Sequence, residues 1–190
     1  MTSRKPFIVG IGGTTRPGSS AEQALALALK FAAEKGAETK HFAGKDLALP
    51  MYDPDPACLT DEARTMIEAL RRADGLILSS PCYHGAVSGL VKNAVDYTEE
   101  MRADPRVYLD GRAVGVIGLG YGFQGPVAVV AQLRSIAHAL RGWPTPLGVA
   151  INSAVVKFTN GECSEPAIVN QIDIMAGQVF DFATMQIAKG

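Results

Sequence analysis

Residues 6–20 read PFIVGIGGTTRPGSS, and this stretch decides the fold because an apolar run stops abruptly in glycines and hydroxyl side chains. Residues 7–11 are rich in β-branched side chains and show no polar alternation, which is typical of a strand buried on both faces of a parallel sheet. The segment that follows carries alanine and leucine at helical spacing until Gly36. The stretch therefore predicts a strand, a polar turn and the start of a helix.

The polar turn has the composition of a loop that binds the phosphate of a mononucleotide. Ligands bind at the carboxyl ends of parallel strands, and the exposed amides of a helix N-terminus attract anions. Hydroxyl groups and a guanidinium fork together suit a phosphate monoester, glycine lets the backbone approach the ligand, and serine caps the helix. The candidate phosphate-binding residues are Thr14, Arg16, Gly18, Ser19 and Ser20, with Thr15 as a further hydroxyl donor.

Two other kinds of phosphate loop do not match this stretch. A nucleotide-hydrolysing P-loop needs a lysine at its end, whereas Gly18 is followed directly by Ser19. The dinucleotide fingerprint needs a third glycine or alanine where Thr15 stands, and no acidic residue follows the predicted second strand near 39–42. A glycine-rich turn that only reverses the chain remains the alternative interpretation.

The composition predicts one globular domain over residues 1–190, with 47% hydrophobic and 19% charged residues. A net charge of −1 gives no sign of a surface for nucleic acid or membrane. The N-terminus is short and polar and the first apolar run is brief, so we expect a cytoplasmic protein. The three histidines are scattered, as are Cys58, Cys82 and Cys163, so no metal site and no disulfide framework is expected.

Strands and helices alternate to the end of the chain. The sequence predicts strands at 39–43, 73–80, 112–119 and 146–151, and helices at 60–72, 88–101, 126–141 and 165–187. Short links between such elements imply a parallel sheet covered on both faces by right-handed crossovers. We expect an α/β, three-layer flavodoxin-like fold whose five-stranded parallel sheet has the order 2-1-3-4-5.

Residues 45–58 contain Pro50, Pro54 and Pro56, so this segment is neither a helix nor a central strand. Two interpretations are open: a lip over the ligand site and a plain surface connection.

The predicted strand order brings three loops together over one edge of the sheet, at 12–20, 81–88 and 120–125. The second loop offers main-chain donors and acceptors and a broad aromatic side chain, which suit the edge of a planar heterocycle. The glycines of the third loop allow close approach to the same ring. A phosphate at the first loop and a flat ring across the other two describe FMN.

Three motifs in the same order resemble those of the NAD(P)H-dependent FMN reductase family. They are GTTRPGS at 13–19, PCYHG at 81–85 with LVKNAVD at 90–96, and GYGFQG at 120–125 with LR at 133–134. The family includes flavin, quinone, azo-dye and chromate reductases. The chain departs from the family pattern at Ala21, where many relatives have asparagine, and at Phe123-Gln124, which open the usual Gly-Gly of the third loop.

The resemblance implies that the three loops divide the cofactor between them. The phosphate is held by Thr14, Arg16 and Ser19, the isoalloxazine ring is lined by Pro81, Tyr83, His84 and Gly85, and the pyrimidine end of the ring lies by Gly120, Tyr121 and Gly122. Cys82 belongs to the same loop and is predicted to be a cofactor-binding residue with its neighbours, whereas a nucleophilic role for it is disfavoured because no third orienting residue is evident. No protein residue is assigned as catalytic, because the flavin carries the chemistry.

The resemblance also implies an enzyme that passes electrons from NADPH or NADH through FMN to free flavin, a quinone or a similar small acceptor. The alternatives are an FMN enzyme with a dedicated biosynthetic substrate and a non-catalytic flavodoxin-like electron carrier. A carrier usually needs a strongly acidic docking face, which the near-neutral charge disfavours. The family further implies homodimers or homotetramers that complete each flavin site.

Overall fold

The structure is a computed structural model that describes residues 4–189. The strands are β1 (Phe7–Gly12), β2 (Glu38–Phe42), β3 (Gly75–Tyr83), β4 (Ala86–Val87), β5 (Ala113–Gly120), β6 (Trp143–Pro144), β7 (Val149–Asn152), β8 (Phe158–Thr159) and β9 (Glu162–Cys163). The α-helices are α1 (Ser20–Glu34), α2 (Asp61–Arg72), α3 (Gly89–Asp96), α4 (Gln124–Ala139) and α5 (Pro166–Lys189). Short 3-10 helices occupy Gly44–Leu47, Pro56–Cys58 and Tyr97–Met101.

The main sheet is parallel and runs β2-β1-β3-β5, with β6 and β7 both pairing on the far side of β5. The order predicted from the sequence is therefore confirmed, with β6 and β7 together in the fifth position. In place of the single strand predicted at 146–151, the structure has two short strands. Strand β6 pairs with the start of β5, and β7 pairs with its end. Pro144 and Pro146 stand at the break between them, where proline cannot donate to a ladder.

Strand β3 is longer than the sequence predicts and includes Pro81, which is in register with Leu119 of β5. Proline is tolerated here because β1 ends at Gly12, opposite Ser79, so no neighbour needs a donor on that side. The chain then turns into β4, which pairs antiparallel with the end of β3. The second predicted loop is therefore a β-hairpin rather than an open connection.

The predicted helix at 88–101 is α-helical only to Asp96, and the chain continues from Tyr97 to Met101 as a 3-10 helix.

The sheet separates two apolar cores, because successive residues of a strand face opposite sides. Ile8 and Ile77 pack against α1 and α5, whereas Val9 and Leu78 pack against α2, α3 and α4. This arrangement gives the three layers that the alternating pattern predicts. Among helices within residues 4–189, none combines the length and the apolar character that crossing a membrane requires.

The amino-terminal edge of the sheet is closed by a buried arginine. Arg112 is fully buried, and its guanidinium donates to the carbonyl of Ala73 (2.8 Å), to that of Arg71 (2.9 Å) and to that of Tyr108. Burial, together with the neighbouring Arg106, lowers the pKa of Arg112 to about 10. These three backbone carbonyls are thus hydrogen-bonded within the protein.

We predict that Gly12→Ala destabilises the fold far more than a glycine substitution in open space. A Cβ at residue 12 would lie 2.2 Å from the backbone oxygen of Ser79, so β1 and β3 would have to separate. The expected loss is about 3 kcal/mol of unfolding free energy, measured by urea denaturation. The matched control is Gly89→Ala, where a Cβ meets nothing within 4 Å. That change should alter stability by no more than about 1 kcal/mol, in the stabilising direction. Equal midpoints for the two variants would contradict the proposed packing.

Candidate functional site

The carboxyl ends of β1, β3, β5 and β7 surround a cleft made of two adjoining cavities of about 460 Å³ and about 180 Å³. The larger cavity is lined by Thr14, Thr15, Arg16, Gly18, Ser19, Ser20, Gln23, Tyr83, Tyr121, Ser153, Lys157 and Phe158. The smaller one is lined by Thr14, Ser19, Ser20, Ala21, Pro81, Cys82, Tyr83, Leu119, Gly120, Tyr121 and Ser153. A groove of about 680 Å³ between β2 and α2 is larger, but it contains none of the predicted site residues.

The loop between β1 and α1 is held by its own polar groups. The hydroxyl of Thr14 accepts a hydrogen bond from the backbone N–H of Arg16 (3.1 Å), and that of Ser19 caps α1 by accepting from Glu22 N–H (3.3 Å). The backbone N–H of Gly18 donates to the Glu22 carboxylate at 3.0 Å. The loop is therefore ordered by internal bonds, while the Arg16 side chain stays exposed.

The start of α1 leaves donors available on the cleft side. The first amides of a helix have no intrahelical acceptor, and Ser20 and Ala21 both line the smaller cavity. A Cβ at Gly18 would meet nothing within 4 Å, and its φ of +68° favours glycine. Gly13 differs, since a Cβ there would lie 3.2 Å from Glu22 Cβ. Open space for a ligand thus lies at Gly18, while Gly13 packs against the helix.

The second loop contributes its first half to the cleft. Pro81, Cys82 and Tyr83 line the smaller cavity, and Tyr83 is 55% exposed. His84 and Gly85 form the turn of the β3–β4 hairpin, with φ angles of +52° and +84°, and neither residue lines the two cavities.

A glutamine of α4 fixes the hairpin turn. The Gln132 amide donates to the carbonyl of Gly85 (3.0 Å) and accepts from the backbone N–H of Val87 (3.1 Å). The hairpin is therefore held toward α4.

The third loop places Gly120 and Tyr121 at the cleft, with Tyr121 85% exposed. Gly122 lines neither cavity, and its backbone N–H instead donates to the side chain of Asn152 at 2.9 Å. Asn152 also accepts from the backbone N–H of Ala154 at 3.0 Å, which ties the third loop to the segment after β7.

Cys82 packs beneath the third loop. A Cβ at Gly120 would lie 3.0 Å from Cys82 Cβ, and one at Gly125 would lie 2.8 Å from its sulfur. This close contact explains both glycines, and it gives Cys82 a packing role beside the cleft. Among the residues that the structure describes, no three His, Cys, Asp or Glu side chains lie close enough together to bind a metal ion.

The proline-rich segment docks on α3 and lines neither cavity of the cleft. The buried side chain of Asn93 accepts from the backbone N–H of Tyr52 (2.8 Å) and donates to the carbonyl of Pro50 (2.8 Å). The hydroxyl of Tyr97 donates to the same carbonyl at 3.0 Å, and the rings of Tyr52 and Tyr97 meet edge to face, with their centroids 5.2 Å apart. Of the two open interpretations, the structure favours the surface connection.

Sequence reasoning missed the fourth side of the cleft. It is formed by Gln23 of α1 and by residues after β7, namely Ser153, Lys157 and Phe158. The strand order could have indicated these residues after β7. Because β7 is parallel to the other strands, its carboxyl end reaches the same edge of the sheet, and the residues that follow it lie beside the cleft.

The structure is a three-layer α/β fold with a cleft at the carboxyl edge of its sheet. One end of this cleft is lined by hydroxyl groups and cationic side chains, and the other by aromatic side chains and strand backbone. The family model described as NADPH-dependent FMN reductase matches residues 6–155. The chain belongs to this family, and the resemblance noted from its motifs is confirmed.

Curated relatives match over part of their length. An iron-sulfur flavoprotein of Methanocaldococcus jannaschii is 30% identical over 102 residues, which are 50% of this chain and 53% of that protein. An FMN-dependent NADPH-azoreductase of Staphylococcus haemolyticus is 34% identical over 98 residues, 50% of this chain and 48% of that protein. The chain thus spans about half the length of these relatives.

Solved structures match over almost the whole chain. An oxidoreductase from Corynebacterium diphtheriae has a TM-score of 0.73 and 16% identity, covering 95% of this chain and 98% of that one. The flavoenzyme NAD(P)H:(acceptor) oxidoreductase FerB from Paracoccus denitrificans has a TM-score of 0.73 and 16% identity, covering 94% and 97%. A flavodoxin-type WrbA-like protein from Agrobacterium tumefaciens has a TM-score of 0.64 and 16% identity, covering 96% and 99%. These likenesses confirm the flavodoxin-like fold.

Proposed function

We propose that the chain binds FMN in the cleft and acts as an FMN-dependent NAD(P)H oxidoreductase that reduces free flavin, a quinone or a similar small acceptor. The observation that carries the proposal is the two-part cleft at the carboxyl edge of the sheet. Its larger cavity holds hydroxyls, a helix N-terminus and Arg16, and its smaller cavity is lined by Pro81, Tyr83 and Gly120. This donor set fits FMN, which is a phosphate monoester at one end and a flat heterocycle at the other.

The proposed role of each residue follows from its position in the cleft. Arg16 and the amides of Ser20 and Ala21 would bind the phosphate, because a charged fork and helix-end donors complement a dianion. The backbone around Pro81 and Gly120 would meet the edge of the ring. When bound, FMN supplies hydride acceptance and electron transfer.

The two tyrosines at the mouth form the surface on which a second flat molecule would lie. Tyr83 and Tyr121 line both cavities and keep 55% and 85% of their surface exposed. Such side chains orient a nicotinamide or a quinone by stacking and exclude water from the ring. His84 lies in the hairpin turn outside the two cavities, so we retain it only as a proposed neighbour of the ring, with Gly85 and Gly122.

The azoreductase relatives are a closer guide to the chemistry than the iron-sulfur flavoproteins. A thiolate-bound cluster takes four cysteine ligands, whereas this chain has three, Cys58, Cys82 and Cys163. Cys58 is exposed on the proline-rich segment and Cys82 packs beneath the third loop. We therefore propose FMN as the bound redox group and NADPH or NADH as the reductant.

We also propose a homodimer or homotetramer. Large apolar side chains are exposed beside the cleft, with Phe123 at 76% and Val127 at 57%, and a second copy would cover them while leaving the mouth at Tyr121 open. Analytical ultracentrifugation at micromolar concentration should give two or four times the chain mass of 20.0 kDa. A single 20.0 kDa species would contradict the proposal.

The proposed activity predicts a yellow protein whose visible absorbance disappears when NADPH or NADH is added without oxygen. Adding a quinone or free flavin should restore the absorbance within seconds, because the open mouth at Tyr121 admits a flat acceptor. Stopped-flow absorbance at the flavin maximum measures both steps. Bleaching that takes many minutes with either nicotinamide would favour the electron carrier, and a chain that binds no flavin would contradict the function altogether.

We predict that Arg16→Ala weakens FMN binding about tenfold, about 1.4 kcal/mol, because one exposed charge-assisted hydrogen bond is lost. Riboflavin lacks the phosphate, so its affinity should not change. Fluorescence titration of the flavin-free chain measures both constants. Arg64→Ala is the matched control, since Arg64 is exposed on α2 outside the cleft. An unchanged FMN affinity in Arg16→Ala would mean that the phosphate lies elsewhere.

A further inference from the structure

The segment at 153–164 connects β7 to α5 and forms the fourth side of the cleft. Most of it lies beyond residue 155, where the match to the family model ends. It contains the β8–β9 hairpin, whose turn at Asn160 and Gly161 has φ angles of +51° and +83°. What this segment brings to the cleft therefore lies mostly outside the residues that the family model matches.

A single glutamine side chain joins this segment to the phosphate loop. The Gln23 amide donates to the carbonyl of Gly18 at 2.7 Å and to that of Phe158 at 3.5 Å. Its oxygen accepts from the backbone N–H of Gly161 at 3.1 Å. Gln23 thus fixes the distance between the loop that follows β1 and the hairpin that follows β7.

The segment carries Lys157 to the wall of the larger cavity, which it shares with Thr15 and Arg16. The Lys157 ammonium donates to the carbonyls of Ser153 (2.7 Å) and Ala154 (3.0 Å). An ammonium has three donors, so one remains for a ligand. The backbone N–H of Lys157 donates to the hydroxyl of Ser164 at 3.0 Å, which anchors the residue within the segment.

One cationic side chain does not balance the negative charge expected at this end of the cleft when a phosphate monoester is bound. A phosphate monoester carries a charge of about −1.5 to −2 near neutral pH. Arg16 and Lys157 are the cationic side chains of the lining, and the Glu22 carboxylate lies close behind, bonded to Gly18 N–H at 3.0 Å. Arg16 alone would leave the phosphate and Glu22 with excess negative charge.

We propose that Lys157 is the second cation for a phosphate monoester in this cleft and that Gln23 is its positioning residue. The proposal rests on the proposed function, in which the group is the phosphate of FMN. The 2′-phosphate of NADPH offers the same chemistry at the same mouth, so the two sources need separate measurements.

The test compares Lys157→Met with Lys30→Met in the full chain freed of flavin. Lys30 is exposed on α1, ten residues beyond Ser20 and about 15 Å along the helix, outside the cleft. Both variants are titrated with FMN and with riboflavin, and binding is followed by fluorescence. Lys157→Met is expected to bind FMN fivefold to tenfold more weakly and riboflavin with unchanged affinity. Lys30→Met is expected to bind both flavins with wild-type affinity. The slope of FMN affinity against salt should also fall in Lys157→Met, since one cation no longer contacts the phosphate.

The position of Gln23 is tested with Gln23→Leu. Hydrogen exchange at the Gly161 amide should become faster, and FMN should bind more weakly while riboflavin does not. The double variant with Lys157→Met should lose less FMN affinity than the sum of the single losses, because both changes act through one ammonium. Additive losses, or equal losses for FMN and riboflavin, would overturn the positioning role.

The remaining outcomes separate the two sources and the two proposals. Unchanged FMN affinity in Lys157→Met with a loss of binding for NADPH but not NADH supports the cation role and assigns it to the nicotinamide phosphate. Unchanged affinity for both, in a chain whose wild type binds FMN tightly, overturns the role of Lys157 and leaves the proposed function standing. A wild type that binds neither FMN nor NADPH overturns both.

Discussion

The site depends on one contact, the approach of β1 to Ser79 of β3. The backbone oxygen of Ser79 accepts a hydrogen bond from Gly13 N–H at 3.1 Å. The buried side-chain hydroxyl of Ser79 donates to the carbonyl of Ala21 at 2.8 Å. A Cβ at Gly12 would lie 2.2 Å from that backbone oxygen. One residue therefore fixes the end of β1 and the start of α1, and the residues between them must leave the sheet and stand over its carboxyl edge.

The two edges of the sheet differ in whether their polar groups are paired within the protein. At the amino-terminal edge Arg112 and Arg106 both donate to the carbonyl of Ala73, and Arg4 pairs with the buried carboxylate of Asp74 at 2.6 Å. Bonds to Arg4 and to the Phe7 amide outweigh burial and lower the pKa of Asp74, so this carboxylate stays charged. At the carboxyl edge the first amides of α1 and the Arg16 side chain are left to solvent or ligand. Among these groups, the donors that are free to bind a ligand therefore lie at the carboxyl edge.

The parts of the site that sequence predicted are those with local signals. An unbroken apolar strand followed by glycines and hydroxyls specified the first loop, because burial on both faces and helix capping depend on neighbouring residues. The prediction that His84 and Gly85 line the ring comes from the family resemblance. In the structure these two residues form the hairpin turn, and the position of that turn depends on Gln132, distant in sequence, which bonds Gly85 and Val87.

The β8–β9 hairpin could not be predicted from its local sequence, because the pattern that marks it is too short. Asn160-Gly161 favours a tight hairpin turn, yet each strand it joins has two residues, too few for an alternating pattern. Its position follows from the topology instead. Helices α1 and α5 share one core, so the chain that leaves β7 for α5 passes the N-terminus of α1. A chain with this fold can therefore change the cationic side chains at the Arg16 end of the cleft through this segment without altering the sheet or the first loop.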